Sequence, residues 1–385
     1  MTNHKDRDHA LLSASSSSRW LACPPSAVAN EAYPNQDTSF TQEGTIAHEV
    51  AEIIARSRLN GIANPLETTL ESLYPKGHTK EMIECANAYA DYIEEQKKSN
   101  DATVLLEQRV DFSEWVPEGF GTCDCIIVQD DTLTIIDYKY GQGVMVSAVN
   151  NSQLRLYALG AMHDYGDLLG VTKVEMHIFQ PRLNNISVDS MTVEELMKWA
   201  TKTVKPTAAK AIKGKGKYSP GEHCRFCQHA GRCRTLTRVC TEYINTHGMR
   251  VGLPVLAPHE VADILRMEAL ISLWLKKVKE QALTTLMNGE ELPGYKLVEG
   301  KLGDRKWRDE KTVFNSLLQA GYSEEEITET KVLSPSQMDR AIGKKKVAEL
   351  LEDLIERAPG APTIAPETDK RPAYNRLAEA QNDFK

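Results

Sequence analysis

Hydrophobic and polar positions change period along the chain. In "TQEGTIAHEVAEIIARSR", Thr41 to Arg58, Ile46, Val50, Ile53 and Ile54 fall on one stripe, which predicts an amphipathic helix. A second helical pattern runs from about His78 to Lys97. The period then shortens to two. Val104 to Val110, Gly121 to Val128, Leu133 to Tyr140 and Val174 to Phe179 read as strands, with a helix from about Val149 to Met162 between the last two. Upstream, the serines Ser13 and Ser15 to Ser18 can cap a short helix that stops at Pro24 and Pro25 and leaves Cys23 at its end. Residues 199–220 read as a helix running into a Gly/Lys connector. Beyond Pro258 the pattern is mainly helical, with a long helix from His259 to Met287 and shorter ones near 310–320 and 344–357. Helices before and between strands predict an α/β fold.

One pair of strands carries an anomaly. The segments 121–128 and 132–139 flank Asp130 and Asp131, and a two-residue turn there pairs Gln129 with Thr132, so that paired numbers add to 261. Ile126 then faces Ile135, Val128 faces Leu133, and Asp124 stands opposite Asp137 on the same face, with Lys139 two residues on. Carboxylates opposed at roughly 5 Å repel unless a cation lies between them or one is protonated. A divalent Mg²⁺ or Mn²⁺ resolves the conflict, and so would a partly exposed Asp, Asp and Lys salt-bridge cluster.

Length and charge narrow the choices. The 385 residues allow two or three domains. We expect boundaries at 1–250, 251–357 and a Pro/Ala-rich flexible tail at 358–385. No run of about 18 apolar residues and no apolar leader occurs, so the expectation is a cytoplasmic protein without a membrane partner. The net charge of −8 disfavours uniform coating of nucleic acid, yet residues 201–250 hold 11 Lys or Arg against Glu222 and Glu242. That segment is a solvated basic face or, given a second indication, a phosphate-binding patch. The same segment holds Cys224, Cys227, Cys233 and Cys240. In a reducing compartment this spacing points to zinc or an iron–sulfur cluster rather than disulfides.

The residues Asp124, Asp137 and Lys139, spaced D-x12-D-x-K across two adjacent strands, resemble the PD-(D/E)XK nuclease superfamily. "GTIAHEVAE" around His48 is similar to the G-x-x-x-H helix of its RecB-type branch, and "QLRLYALG" with Gln153 and Tyr157 to that branch's Q-x-x-x-Y helix. The resemblance implies a restriction-endonuclease-like core, a mixed central sheet flanked by helices. It further implies that His48, Asp124 and Asp137 hold Mg²⁺ or Mn²⁺, that Lys139 assists the attacking water, and that Gln153 and Tyr157 position the DNA strand or Lys139. One cysteine far upstream and three downstream resemble the AddB and CRISPR-adaptation iron–sulfur nucleases, which implies a structural [4Fe–4S] cluster on Cys23, Cys224, Cys227 and Cys233. Zinc on Cys224, Cys227, Cys233 and Cys240 is the alternative.

The implied activity is metal-dependent hydrolysis of DNA phosphodiester bonds, an exonuclease acting in phage or prophage replication, recombination or repair. Lys213, Lys215, Lys217, Arg225, Arg232 and Arg234 then become candidates for phosphate contact. The expected substrate is single-stranded DNA or DNA ends. No G-x-x-x-x-G-K-[ST] motif occurs, so a helicase, annealing or single-strand-binding protein is the expected partner. Over the whole chain, "LPGYKLVEGKLGDRKW" and "APETDKRPAY" resemble phage and prophage proteins of the same type. Trp307 with Arg305, Lys306 and Arg308 can hold nucleic acid or anchor a small accessory domain. The competing class is a DNA-binding or replication scaffold that keeps the fold without cleavage.

Overall fold

A computed structural model describes residues 10–33, 39–59, 73–166, 170–247, 256–298, 310–328 and, with interruptions, 335–355. The expected tail at 358–385 and the group around Trp307 lie outside the described residues. Five strands form one mixed sheet in the order β1-β2-β3-β4-β5. They are β1 Thr103–Asp111, β2 Phe120–Gln129, β3 Thr132–Tyr138, β4 Lys173–Gln180 and β5 Asn185–Thr192. Neighbours run antiparallel except β3 and β4, whose parallel pairing requires a crossover.

Helices cover both faces. Helix α1 is Ser17–Ala22 and α2 Ser26–Glu31; α3 is Ser39–Leu59 and α4 Lys80–Gln96. The apolar stripes of α3 and α4, among them Ala47, Val50, Ile54, Met82 and Ile93, pack on the sheet face that presents Cys125, Ile127, Ile136 and Tyr138. Thr79 caps α4 by accepting from the Met82 amide at 3.2 Å. On the other face Ile126, Val128, Leu133, Ile135, Met176 and Ile178 meet the crossover helix α5, Ser152–Ala161, together with Leu12 and Trp20 from the N-terminal segment. Asn151 caps α5 through bonds from the amides of Gln153 and Leu154. Gly160 lets α5 approach β1, since a Cβ there would lie 2.8 Å from Val110 Cβ.

After β5 come α6 Val193–Trp199, α7 Lys205–Ala211, α8 Arg234–His247, α9 Pro258–Leu265 and α10 Glu268–Met287. The structure adds to or departs from the pattern at four points. The single helix of 259–287 is two, separated at Arg266 and Met267. The prolines that follow α1 lead directly into α2, with Pro25 at its N-cap position. Ser16 precedes α1 without a side-chain cap, its hydroxyl turned instead to Ser13. Strand β5 went unread because "NISVDSMT" alternates small polar residues with apolar ones on a sheet edge that leaves Ile186 and Val188 about half exposed.

The chain falls into two compact units, residues 1–300 and 301–385. In the first, Leu270, Ile271, Leu273 and Trp274 of α10 pack against Cys224, Cys227, Leu236 and Cys240. The second contains helices at Glu310–Gln319 and Lys344–Leu351. Among the described residues no helix is long and apolar enough to cross a membrane.

Candidate functional site at the sheet end and a cysteine pocket

The hairpin adopts the expected register, with Gln129 opposite Thr132 and pairing continuing to Cys125 opposite Ile136. Asp130 turns the chain with φ of 51°, the left-handed conformation that Asp tolerates. Regular pairing then stops one residue before Asp124. The pleat breaks here in both flanking strands. In β2, Cys125 faces the α3/α4 layer while Cys123, two residues away, faces the α5 layer. In β1, Leu106 and Val110, four apart, likewise belong to opposite layers, and between them Glu107 has φ of 49°. Glu107 and Asp124 occupy corresponding positions at this switch. The expectation that Asp124 shares one face with Ile126, Asp137 and Lys139 therefore needs correction, because Asp124 reaches the opposite layer.

There Asp124 Oδ1 lies 3.5 Å from His48 Nδ1 of α3, and Asp124 Oδ2 accepts from the Tyr138 amide at 2.7 Å. Donor atoms of His48, Glu107 and Asp124 all fall within 4.8 Å of one another. Asp137 stays on the α5 side, 2 % exposed. Lys139 Nζ sits 2.9 Å from its Oδ2, and Gln153 Nε2 donates to its Oδ1 at 3.0 Å. Gln153 also accepts from Lys139 Nζ at 3.4 Å and donates to the Tyr157 hydroxyl at 3.2 Å, so one amide orients three groups. A Cβ at Gly121 would lie 2.8 Å from the Tyr157 ring, which makes the glycine a condition of the tyrosine's position.

The electrostatics of the two carboxylates diverge. Burial pushes Asp124 up, but the neighbouring His48, Lys139 and the Tyr138 amide outweigh it and leave the group below the usual carboxyl range. For Asp137, burial prevails over the Lys139 ammonium and Asp124 adds repulsion, so its carboxyl titrates higher than usual. Burial lowers His48 and Lys139, yet the facing carboxylates raise both overall. Burial, reinforced by Asp124, pushes Glu107 up to about 7. The chain thus spreads acids of unequal strength across one sheet end. Nothing in "VLLEQRVDF" announces the break in alternation that brings Glu107 into the site.

A second cluster joins the chain's N-terminal segment to the segment after α7. A pocket is lined by Cys23, Cys224, Cys227 and Cys233 together with Tyr218, His223 and His229. Cys240 is buried beside them, in the packing against α10, and does not line the pocket. Asn30 of α2 fixes the turn by accepting from Cys227 Sγ at 3.4 Å and the Gln228 amide at 3.1 Å, while the Tyr33 hydroxyl meets His229 Nδ1 at 3.1 Å. All eight cysteines are free thiols. Lys213, Lys215, Lys217, Arg225, Arg232 and Arg234 are exposed around this segment.

A solved structure entitled "Crystal structure of SSO0001" matches 49% of this chain and 84% of its own at 12% identity and a TM-score of 0.23, a likeness too slight to carry an argument. The family model described as "Protein of unknown function (DUF2800)" matches residues 9–372, and the chain belongs to that family.

Proposed function

We propose that the protein is a metal-dependent deoxyribonuclease of the PD-(D/E)XK type, acting on single-stranded DNA or DNA ends. The observation that carries this reading is the convergence, from three separate elements, of His48, Glu107 and Asp124 within 4.8 Å beside the Asp137–Lys139 pair. One imidazole nitrogen and two carboxylate oxygens suit Mn²⁺ or Mg²⁺. Asp137 Oδ2, buried and lacking a well-aligned hydrogen bond, remains available as a further ligand, as the motif implies. Such a cation, when bound, polarises a phosphodiester and lowers the pKa of a water. Lys139, whose pKa is raised, stays an ammonium near neutrality and serves to orient that water and to balance charge growing on the phosphate, not to remove a proton. Gln153, steadied by Tyr157, keeps Lys139 and Asp137 in register.

The cysteine pocket supports a [4Fe–4S] cluster on Cys23, Cys224, Cys227 and Cys233 over zinc on Cys224, Cys227, Cys233 and Cys240, since Cys23 and not Cys240 lines it. The exposed lysines and arginines nearby would grip the DNA backbone.

Anaerobically purified protein, incubated with Mn²⁺ and end-labelled single- and double-stranded DNA, should cut at least one substrate. Asp137→Ala and Lys139→Ala should reduce cleavage by at least 100-fold, on the order expected for lost electrostatic stabilisation. Cleavage that survives both substitutions would discard this active site. DNA binding without cleavage by the wild type would favour a scaffold.

A further inference from the structure

Arg19 lies outside both donor sets, yet the residue is only 7 % exposed. Its Nη1 donates to the Ser26 carbonyl at 2.7 Å and to Ser26 Oγ at 3.3 Å, and among the described residues no carboxylate pairs with it. A buried cation without a counter-charge is strongly unfavourable, so the anion that balances it should be close. Ser26, which holds the guanidinium, lines the same pocket as the sulfurs of Cys23 and Cys227. Burial works against the guanidinium charge, and these two sulfurs favour it. Arg19 also sits one helical turn before Cys23, whose amide donates to the Arg19 carbonyl at 2.8 Å. One turn of α1 therefore delivers both a metal-binding thiol and a cation.

We propose that Arg19 is the internal counter-cation of the cysteine centre, favouring thiolate ligation and raising the reduction potential of the iron–sulfur cluster held there. This rests on the cluster reading given above. Four thiolates around a [4Fe–4S]²⁺ core carry a net charge of 2−, and one-electron reduction makes it 3−. A fixed, buried positive charge held on the pocket's Ser26 stabilises the reduced state more than the oxidised one. Ser26 holds the guanidinium in place, so Arg19 is a positioning and charge-balancing residue that touches no DNA.

The test compares wild type, Arg19→Gln and Arg19→Lys, each purified anaerobically as the full chain, by iron and sulfide content and by a dithionite redox titration followed by electron paramagnetic resonance. Arg19→Gln should keep its cluster with a lower midpoint potential, or lose iron; Arg19→Lys should keep the iron and a potential near wild type. A tenfold change in the reduction equilibrium would read as about 59 mV for one electron. Fully loaded Arg19→Gln with an unchanged potential overturns the role of Arg19 alone. Loss of iron from Arg19→Lys to the same extent as from Arg19→Gln also overturns it, since the bonds to Ser26 rather than the charge would then be the requirement. A wild type that binds zinc or no metal overturns the cluster reading beneath it, and this role with it.

Discussion

Glu107 is the residue whose behaviour most separates a metal site from a salt-bridge cluster. Its carboxyl is held at about 7 in the fold against an ordinary 4.5, so the folded chain keeps a proton that the unfolded chain releases between those values. Stability from this group is complete below pH 4.5 and is lost as pH rises through about 7. Thermal unfolding in EDTA across pH 5 to 8 should show that decline, and Glu107→Gln should flatten it. His48, also raised, contributes a decline of the same sign that Glu107→Gln leaves intact. Mn²⁺ must displace the protons of both Glu107 and His48, so its affinity should climb with pH in the wild type and less steeply in Glu107→Gln, where His48 alone still gives one up, as titration calorimetry would read. Lys139→Met leaves the buried Asp137 without its cation. A loss of about 3–5 kcal/mol in urea unfolding is expected at neutral pH, easing in acid as Asp137 takes up a proton.

At the scale of elements, one close approach decides whether α10 can seat. Gly231 faces α10 so tightly that a Cβ would fall 2.5 Å from the Lys277 carbonyl and 2.7 Å from Gln281 Cβ. Gly231→Ala should push α10 off the cysteine segment, and limited proteolysis should then cut near 266–267 while the sheet persists. What the sequence revealed about elements follows from the same physics. The register of the β2–β3 hairpin was legible because a two-residue turn and apolar pairs allow one alignment, and α3 through α5 because their apolar stripes pack on the two faces of the sheet. Glu107 was hidden because a break in alternation needs the partner strand to be seen. The division of α9 from α10 was hidden because both halves carry helical residues throughout. His48, Gln153 and Tyr157 could be placed only by resemblance, since a lone His on a helix or a Gln and Tyr four apart carries no chemistry in itself.

Over the whole molecule, a net charge of −8 coexists with a segment at 201–250 whose 11 basic residues face 2 acids. Binding to DNA should therefore depend on a few local contacts and weaken steeply with salt. Replacing Lys213, Lys215 and Lys217 together by Ala should lower the slope of log affinity against log salt by about 2 for single strands, at roughly 0.7 per contact, with cleavage per bound molecule preserved. An unchanged slope would remove these three from the DNA path. The pleat break at Glu107 and Asp124 also makes the site late to assemble. The site takes His48 from one helical layer and Gln153 and Tyr157 from the other, more than a hundred residues along the chain. Neither half, docked alone, brings these groups together, and such distant contacts are the slowest a chain makes. A nascent or partly unfolded copy would lack the power to cut, so the proposed chemistry switches on only when folding is complete.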